Sequence, residues 1–193
     1  MSLEVVILVT AILLFLQAFF AGSEIALVSC DKVKMKALAE RGSKSAGLVL
    51  SSFLEIERFI STTLVGINLS LITNTIIMTF YIQDNYGKAS ELYTVMILSP
   101  LVVIFGQVVP KAVFQKRSNT LVLWIIYPLW FASKVFSPAL FIVNLFTRGL
   151  LKLIGGTENP FITREELLQA IGADQKAREQ IGYKEKFIRR IFR

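Results

Sequence analysis

One uncharged stretch, 60–82 (ISTTLVGINLSLITNTIIMTFYI), concentrates side chains that can offer oxygen to a cation, among them Ser61, Thr62, Thr63, Asn68, Ser70, Thr73, Asn74 and Thr75. Hydroxyls and carboxamides are the neutral donors that a hard cation accepts when it sheds water. The stretch has no Asp, Glu, Lys or Arg, over a length that can cross a bilayer, for which about 20 mostly apolar residues suffice. A helix that only had to sit in lipid would not need such groups. At membrane depth they face a bundle interior or a water-filled cavity, which makes them candidates for an ion path. The competing reading is that they hydrogen-bond a neighbouring helix, for about 0.6 kcal/mol on average.

The first apolar run carries a second kind of group. Glu24 is the only ionisable residue between Val5 and Cys30. It is either a helix-end carboxylate, hydrated or paired with a nearby Lys, or part of an ion site or gate. Ala18, Gly22 and Ala26 recur every fourth residue, a small-residue face that lets another backbone come close, within the chain or across a dimer. Cys30 is the single cysteine, so no intrachain disulfide forms; it reads as a small buried residue, with palmitoylation and redox sensing as the alternatives. Histidine is absent, which removes HExxH zinc sites, Ser-His-Asp triads and histidine relays. With no pair of intramembrane carboxylates either, an enzyme is not expected.

These residues need membrane helices to position them. The chain is 193 residues long and 54% hydrophobic, with three uncharged apolar runs. Its net charge of +7 flanks those runs instead of striping a soluble domain, so no nucleic-acid partner is expected. Spans are predicted at about 3–30, 60–82 and 91–112. A signal peptide fits the first poorly, because Met-Ser-Leu-Glu precedes it without a basic residue. Residues 31–58 read as amphipathic helices along the membrane surface, interrupted near Gly42. In the third run Pro100 should kink the helix, while Gly106 and Pro110 should loosen its end. Lys and Arg crowd 31–58 and 111–117 but not the loop 83–91, which predicts an outside N-terminus and a cytoplasmic C-terminus. Hydropathy allows a fourth span within 119–154, but Pro128, Lys134 and Pro138 favour broken helices in the cytoplasmic interface. From 156 to 193 the chain is soluble in character, with a capping-box pattern at Thr163–Glu166. It stops inside an amphipathic stretch, KEKFIRRIFR, as expected of a piece of a longer protein. The fold class predicted is all-α integral membrane: three transmembrane helices and a cytoplasmic interfacial belt of amphipathic helices.

Three local patterns, in order, resemble the membrane domain of the cyclin M/CorC family, which is linked to magnesium efflux. Phe20-Ala-Gly-Ser-Glu-Ile-Ala-Leu27 is similar to its SGSEIAL, Ser61-Thr-Thr-Leu-Val-Gly-Ile-Asn-Leu69 to its STxLVGNNL, and Gly106-Gln-Val-Val-Pro-Lys111 to its GEIIPK. The resemblance covers residues 1–155. It implies three spans, an interfacial belt after the third, a homodimer in the lipid bilayer of the plasma or inner membrane, and a magnesium site with Ser23 and Asn68 among its ligands. Gly106 and Pro110 match a helix break or gate. Nucleotide would bind only through a CBS-domain pair, toward which 156–193 would be the linker and which this chain lacks. Three positions depart from the pattern: Ile67 stands for asparagine, Leu71 for a further asparagine, and Gln107 for glutamate.

The expected ligand set is therefore Ser23, Asn68, Gln107 and the i, i+4 pair Ser70 and Asn74. All are neutral, so they compensate poorly for dehydrating Mg2+. Either Glu24 adds its charge, the ion keeps water, or the site favours Na+. The function expected is magnesium export by a dimeric secondary transporter, coupled to sodium; the alternative is a non-transporting scaffold or sensor with a degenerate site.

Overall fold

The computed structural model describes residues 2–86, 90–138, 140 and 141. Expectations for 142–154, for the capping box at 163–166 and for the linker at 156–193 lie outside the described residues. Every element named here is helical: α1 (Leu3–Ser29), α2 (Lys32–Glu40), α3 (Lys44–Leu54), α4 (Ile56–Tyr86), α5 (Ser90–Leu101), a π-helical segment (Val102–Val108), α6 (Val109–Lys116) and α7 (Ser118–Val135). Three stretches are long and apolar enough to cross a membrane: α1, most of α4, and Thr94–Lys116, which joins α5, the π segment and α6. At 1.5 Å per residue, α1 is about 40 Å long, enough for a bilayer with its headgroup regions. Leu8, Phe15, Leu64, Ile72 and Phe80 stand exposed on the outer faces of α1 and α4. Such a surface suits hydrocarbon, where only helices and closed barrels satisfy their own backbone.

The apolar core gathers where α1 ends and α4 begins. Phe20, Leu27, Met35, Val49, Phe53, Phe59, Ile67, Val122, Ile126 and Leu129 form one buried cluster, so α2, α3 and α7 all close around the same end of the first two spans. Local chemistry fixes the turns there. Asp31 caps α2 by accepting the N–H of Val33 at 2.8 Å and of Lys34 at 3.2 Å. Gly42, at φ +91°, ends α2 with the N–H of Ser43 returning to the Leu38 carbonyl at 3.1 Å and that of Gly42 to Ala39 at 2.9 Å. That pair is a Schellman closure, which needs a left-handed residue that glycine supplies without strain. Ser43 then caps α3.

Two further bonds tie α1 to α7. The Asp31 N–H donates to Asn119 Oδ1 at 2.7 Å, and Ser118 Oγ donates to the Ser29 carbonyl at 3.2 Å. One face of α7 (Val122, Ile125, Ile126, Leu129, Ser133) is buried against the core, while Trp124 and Phe131 stay exposed.

The third span is not broken. Pro100 sits inside α5, and the helix widens directly after it into seven π-helical residues, closed by the Val109 N–H bonding to the Ile104 carbonyl five residues back. Proline chemistry accounts for the change of register. Pro110 has no N–H to offer the Gly106 carbonyl four residues earlier, and its ring crowds that carbonyl. Pro110 then stands in the first turn of α6, directly after the π segment.

Candidate functional site

Between the spans, the interior is polar where the apolar cluster gives out. Gln17, Ser23 and Asn74 are fully buried. Gln17 Oε1 and Nε2, Asn74 Oδ1 and Nδ2, Ser23 Oγ and Thr10 Oγ1 all lack a hydrogen-bond partner among the described residues. An unsatisfied buried polar group costs about 1–3 kcal/mol. Thr62 and Thr63, equally buried, avoid that cost by donating to the carbonyls of Arg58 and Ile60, each at 2.7 Å. In the second span these hydroxyls are satisfied by their own helix, whereas the Asn74 amide is not.

Glycines set how closely the spans approach. A Cβ on Gly66 of α4 would fall 2.5 Å from the Phe20 ring of α1, and one on Gly22 would fall 2.7 Å from the Phe114 ring of α6. Gly22 therefore makes its close approach within the chain. Ala26 is fully buried beside it in sequence and Ala18 is half-buried. A Cβ on Gly106 would fall 3.0 Å from Gln17 Cδ and 3.1 Å from its Oε1, so the Gln17 carboxamide lies directly on the π segment.

The expected ligands do not gather at one point. Asn68 faces outward and is exposed, while its neighbour Ile67 takes the buried position in the core beside Phe20. Ser23 and Asn68 therefore do not converge, and the reason is rotational: consecutive residues of a helix point about 100° apart. Ser70 and Asn74 are both buried, on the inner side of α4. Gly66 packs at the level of Phe20. Eight residues on, Asn74 stands about 12 Å farther along the helix, whereas Ser23 lies about 5 Å to the other side. Gln107 is half-buried on the π segment, Gly106 is buried, and Pro110 is half-buried. The polar groups are therefore spread along the bundle axis as successive rungs.

Gln17 interrupts an apolar run of the first span. Its signal is the spacing: Thr10, Gln17 and Glu24 are seven residues apart, two helical turns, and so share one face of α1. That face meets the third span, through Gly106 at Gln17 and through Lys111 at Glu24. Lys111 Nζ stands 3.1 Å from Glu24 Oε2, a charge pair without hydrogen-bond alignment. With the lysine side chain two-fifths exposed, water screens the pair, and it contributes about 1 kcal/mol at most. Its larger effect is to offset the Glu24 carboxylate near the interior. Among the described residues, no group of three or more Cys, Asp or Glu is placed to hold a metal.

The comparisons with known proteins agree with this architecture. The family model described as the cyclin M transmembrane N-terminal domain matches residues 8–183. The chain is 27% identical over 168 residues to a UPF0053 protein of Haemophilus influenzae, covering 86% of this chain and 40% of that protein. It is 26% identical over 143 residues to the UPF0053 inner membrane protein YfjD of Escherichia coli, covering 72% and 33%. With YhdP of Bacillus subtilis it shares 24% identity over 204 residues, covering 96% and 46%. The chain spans less than half the length of these relatives. With a family match over most of its length and three helices fit to cross a bilayer, the chain belongs to the cyclin M transmembrane N-terminal domain family of membrane proteins.

Proposed function

We propose that the chain is the membrane domain of a homodimeric secondary transporter that exports Mg2+ across the cell membrane in exchange for Na+. What carries this reading is the run of buried oxygen-bearing side chains without partners: Thr10, Gln17, Ser23 and Asn74. A bundle held together only by packing would place Leu or Ala there and avoid the penalty. A cation that trades part of its water shell for those oxygens recovers it. Family membership supports ion transport, and the printed name of the E. coli relative supports an inner-membrane setting. The basic residues of α2 and of 111–117 favour a cytoplasmic side for the core cluster, with the N-terminus outside. Asn68, an exposed carboxamide within a span, supports coverage of that face of α4 by a second copy. A CBS pair in the longer protein would bring nucleotide to the cytoplasmic side.

The test is Mg2+ efflux from proteoliposomes holding the full-length protein, with and without an opposing Na+ gradient. Flux should depend on the gradient and fall by about tenfold or more in Ser23→Ala combined with Asn74→Ala, a loss of about 1.4 kcal/mol or more. Wild-type vesicles that hold Mg2+ under every gradient would overturn the reading.

A scaffold or sensor role is the second reading. It is favoured by Ile67 filling the inward position and by Lys111 cancelling Glu24. A stable dimer with neither flux nor a Mg2+-dependent thermal shift would establish it in place of transport.

A further inference from the structure

We propose that Gln17 is the principal ligand of a monovalent-cation site, selective for Na+ over Mg2+, built between α1 and the π segment of the third span. The inference rests on the cation-transport reading above and assigns the counter-ion its place. Gln17 has no exposed surface, and both polar atoms of its carboxamide lack partners among the described residues. Its Oε1 lies 3.1 Å from where a Cβ on Gly106 would be, so the amide is pressed on the one residue of the π segment that leaves it room. In an α-helical register the Gly106 carbonyl would have no donor, because residue 110 is proline. Irregular helical backbone of this kind is where membrane transporters offer carbonyl oxygens to ions. The Gln17 carboxamide and the backbone of the third span at Gly106 lie in one neighbourhood, and Ser70 is buried on the inner side of α4.

Charge decides between the ions. The cost of taking an ion out of water grows with the square of its charge, so a divalent ion among neutral donors needs a nearby carboxylate to offset it. Gln17 itself is an amide and residue 107 is an amide, so neither brings a charge. Glu24, two turns away on the same face of α1, is already paired with Lys111. A monovalent cation is what such a set of oxygens can hold. Thr10 and Glu24 stand about 10 Å to either side of Gln17 on the same face of α1.

The test uses full-length protein in detergent and in proteoliposomes, with NaCl, choline chloride and MgCl2 as probes. NaCl should raise the thermal midpoint of the wild type relative to choline chloride. Gln17→Leu should abolish that Na+ shift and keep a midpoint in choline at least as high as the wild type. Gln17→Glu, which returns a negative charge, should strengthen Mg2+ binding by about tenfold. Gly106→Ala, which pushes the amide off its seat, should weaken the Na+ response several-fold. An unchanged Na+ shift in Gln17→Leu would overturn the proposal while leaving transport intact. A wild type indifferent to both NaCl and MgCl2 would sink this site and the transport reading together.

Discussion

At positions 67 and 68, a side chain's fate turns on a single step of helical rotation. Ile67 joins Phe20 in the core and Asn68 faces out, although they are consecutive residues of one helix. The same sensitivity governs the glycines. Gly66 and Gly22 both lie under aromatic rings, but Phe20 is buried within the core whereas Phe114 is only partly buried at its edge. Gly66→Ala should therefore cost about 1–3 kcal/mol, in line with overpacking of a close interior, and Gly22→Ala distinctly less. Thermal unfolding of the two variants in detergent checks the order; equal losses would mean that Phe20 also yields. Cys30, just past the end of α1, is 6% exposed and donates to the Leu27 carbonyl at 3.3 Å. Burial pushes its thiol up to about 11, so at pH 8 roughly one molecule in a thousand carries the thiolate. Maleimide labelling should be slow at pH 8 and quicken as pH rises from 9 toward 11, where the folded state also loses the stability that the neutral thiol lends it. Rapid labelling at pH 7 would contradict the burial and restore the redox-sensor reading.

Among the elements, hydropathy made the three spans legible, because a length of uncharged residues is a property of sequence alone. The amphipathic stretch after span one was legible as well, together with the interruption at Gly42. Rotational phase was not, since packing sets it: nothing local says that Asn74 turns inward and Asn68 outward. The pairing of Glu24 with Lys111, 87 positions apart, likewise exists only once α1 lies beside the third span. Gln17 was readable in principle from its heptad relation to Thr10 and Glu24, but it was obscured by the apolar letters around it. The π segment is the least predictable element. Proline at 100 and 110 signals disturbance, and a kink and a widened turn share that signal. Pro110→Ala restores a donor for the Gly106 carbonyl and should let the helix return to an α register. We expect unchanged or higher thermal stability and reduced flux; full flux would detach the widened turn from transport.

For the molecule as a whole, apolar and polar interiors occupy different depths. The cluster around Phe20, Leu27 and Leu129 holds α2, α3 and α7 to one end of the spans, and the unpaired amides lie toward the other. Placing those ends relative to the bilayer predicts that Asn68→Cys in a Cys30→Ser background forms a disulfide between two copies in native membranes. Crosslinking only at outward positions such as Phe15→Cys of α1 would move the dimer seam elsewhere. The bonds from Asp31 to Asn119 and from Ser118 to Ser29 carry a mechanical meaning. They rivet the foot of the first span to the head of α7, so any tilt of α1 that opens its seam with the third span must swing α7 as a lever. Each opening of that seam is thereby read out as a displacement of α7 itself.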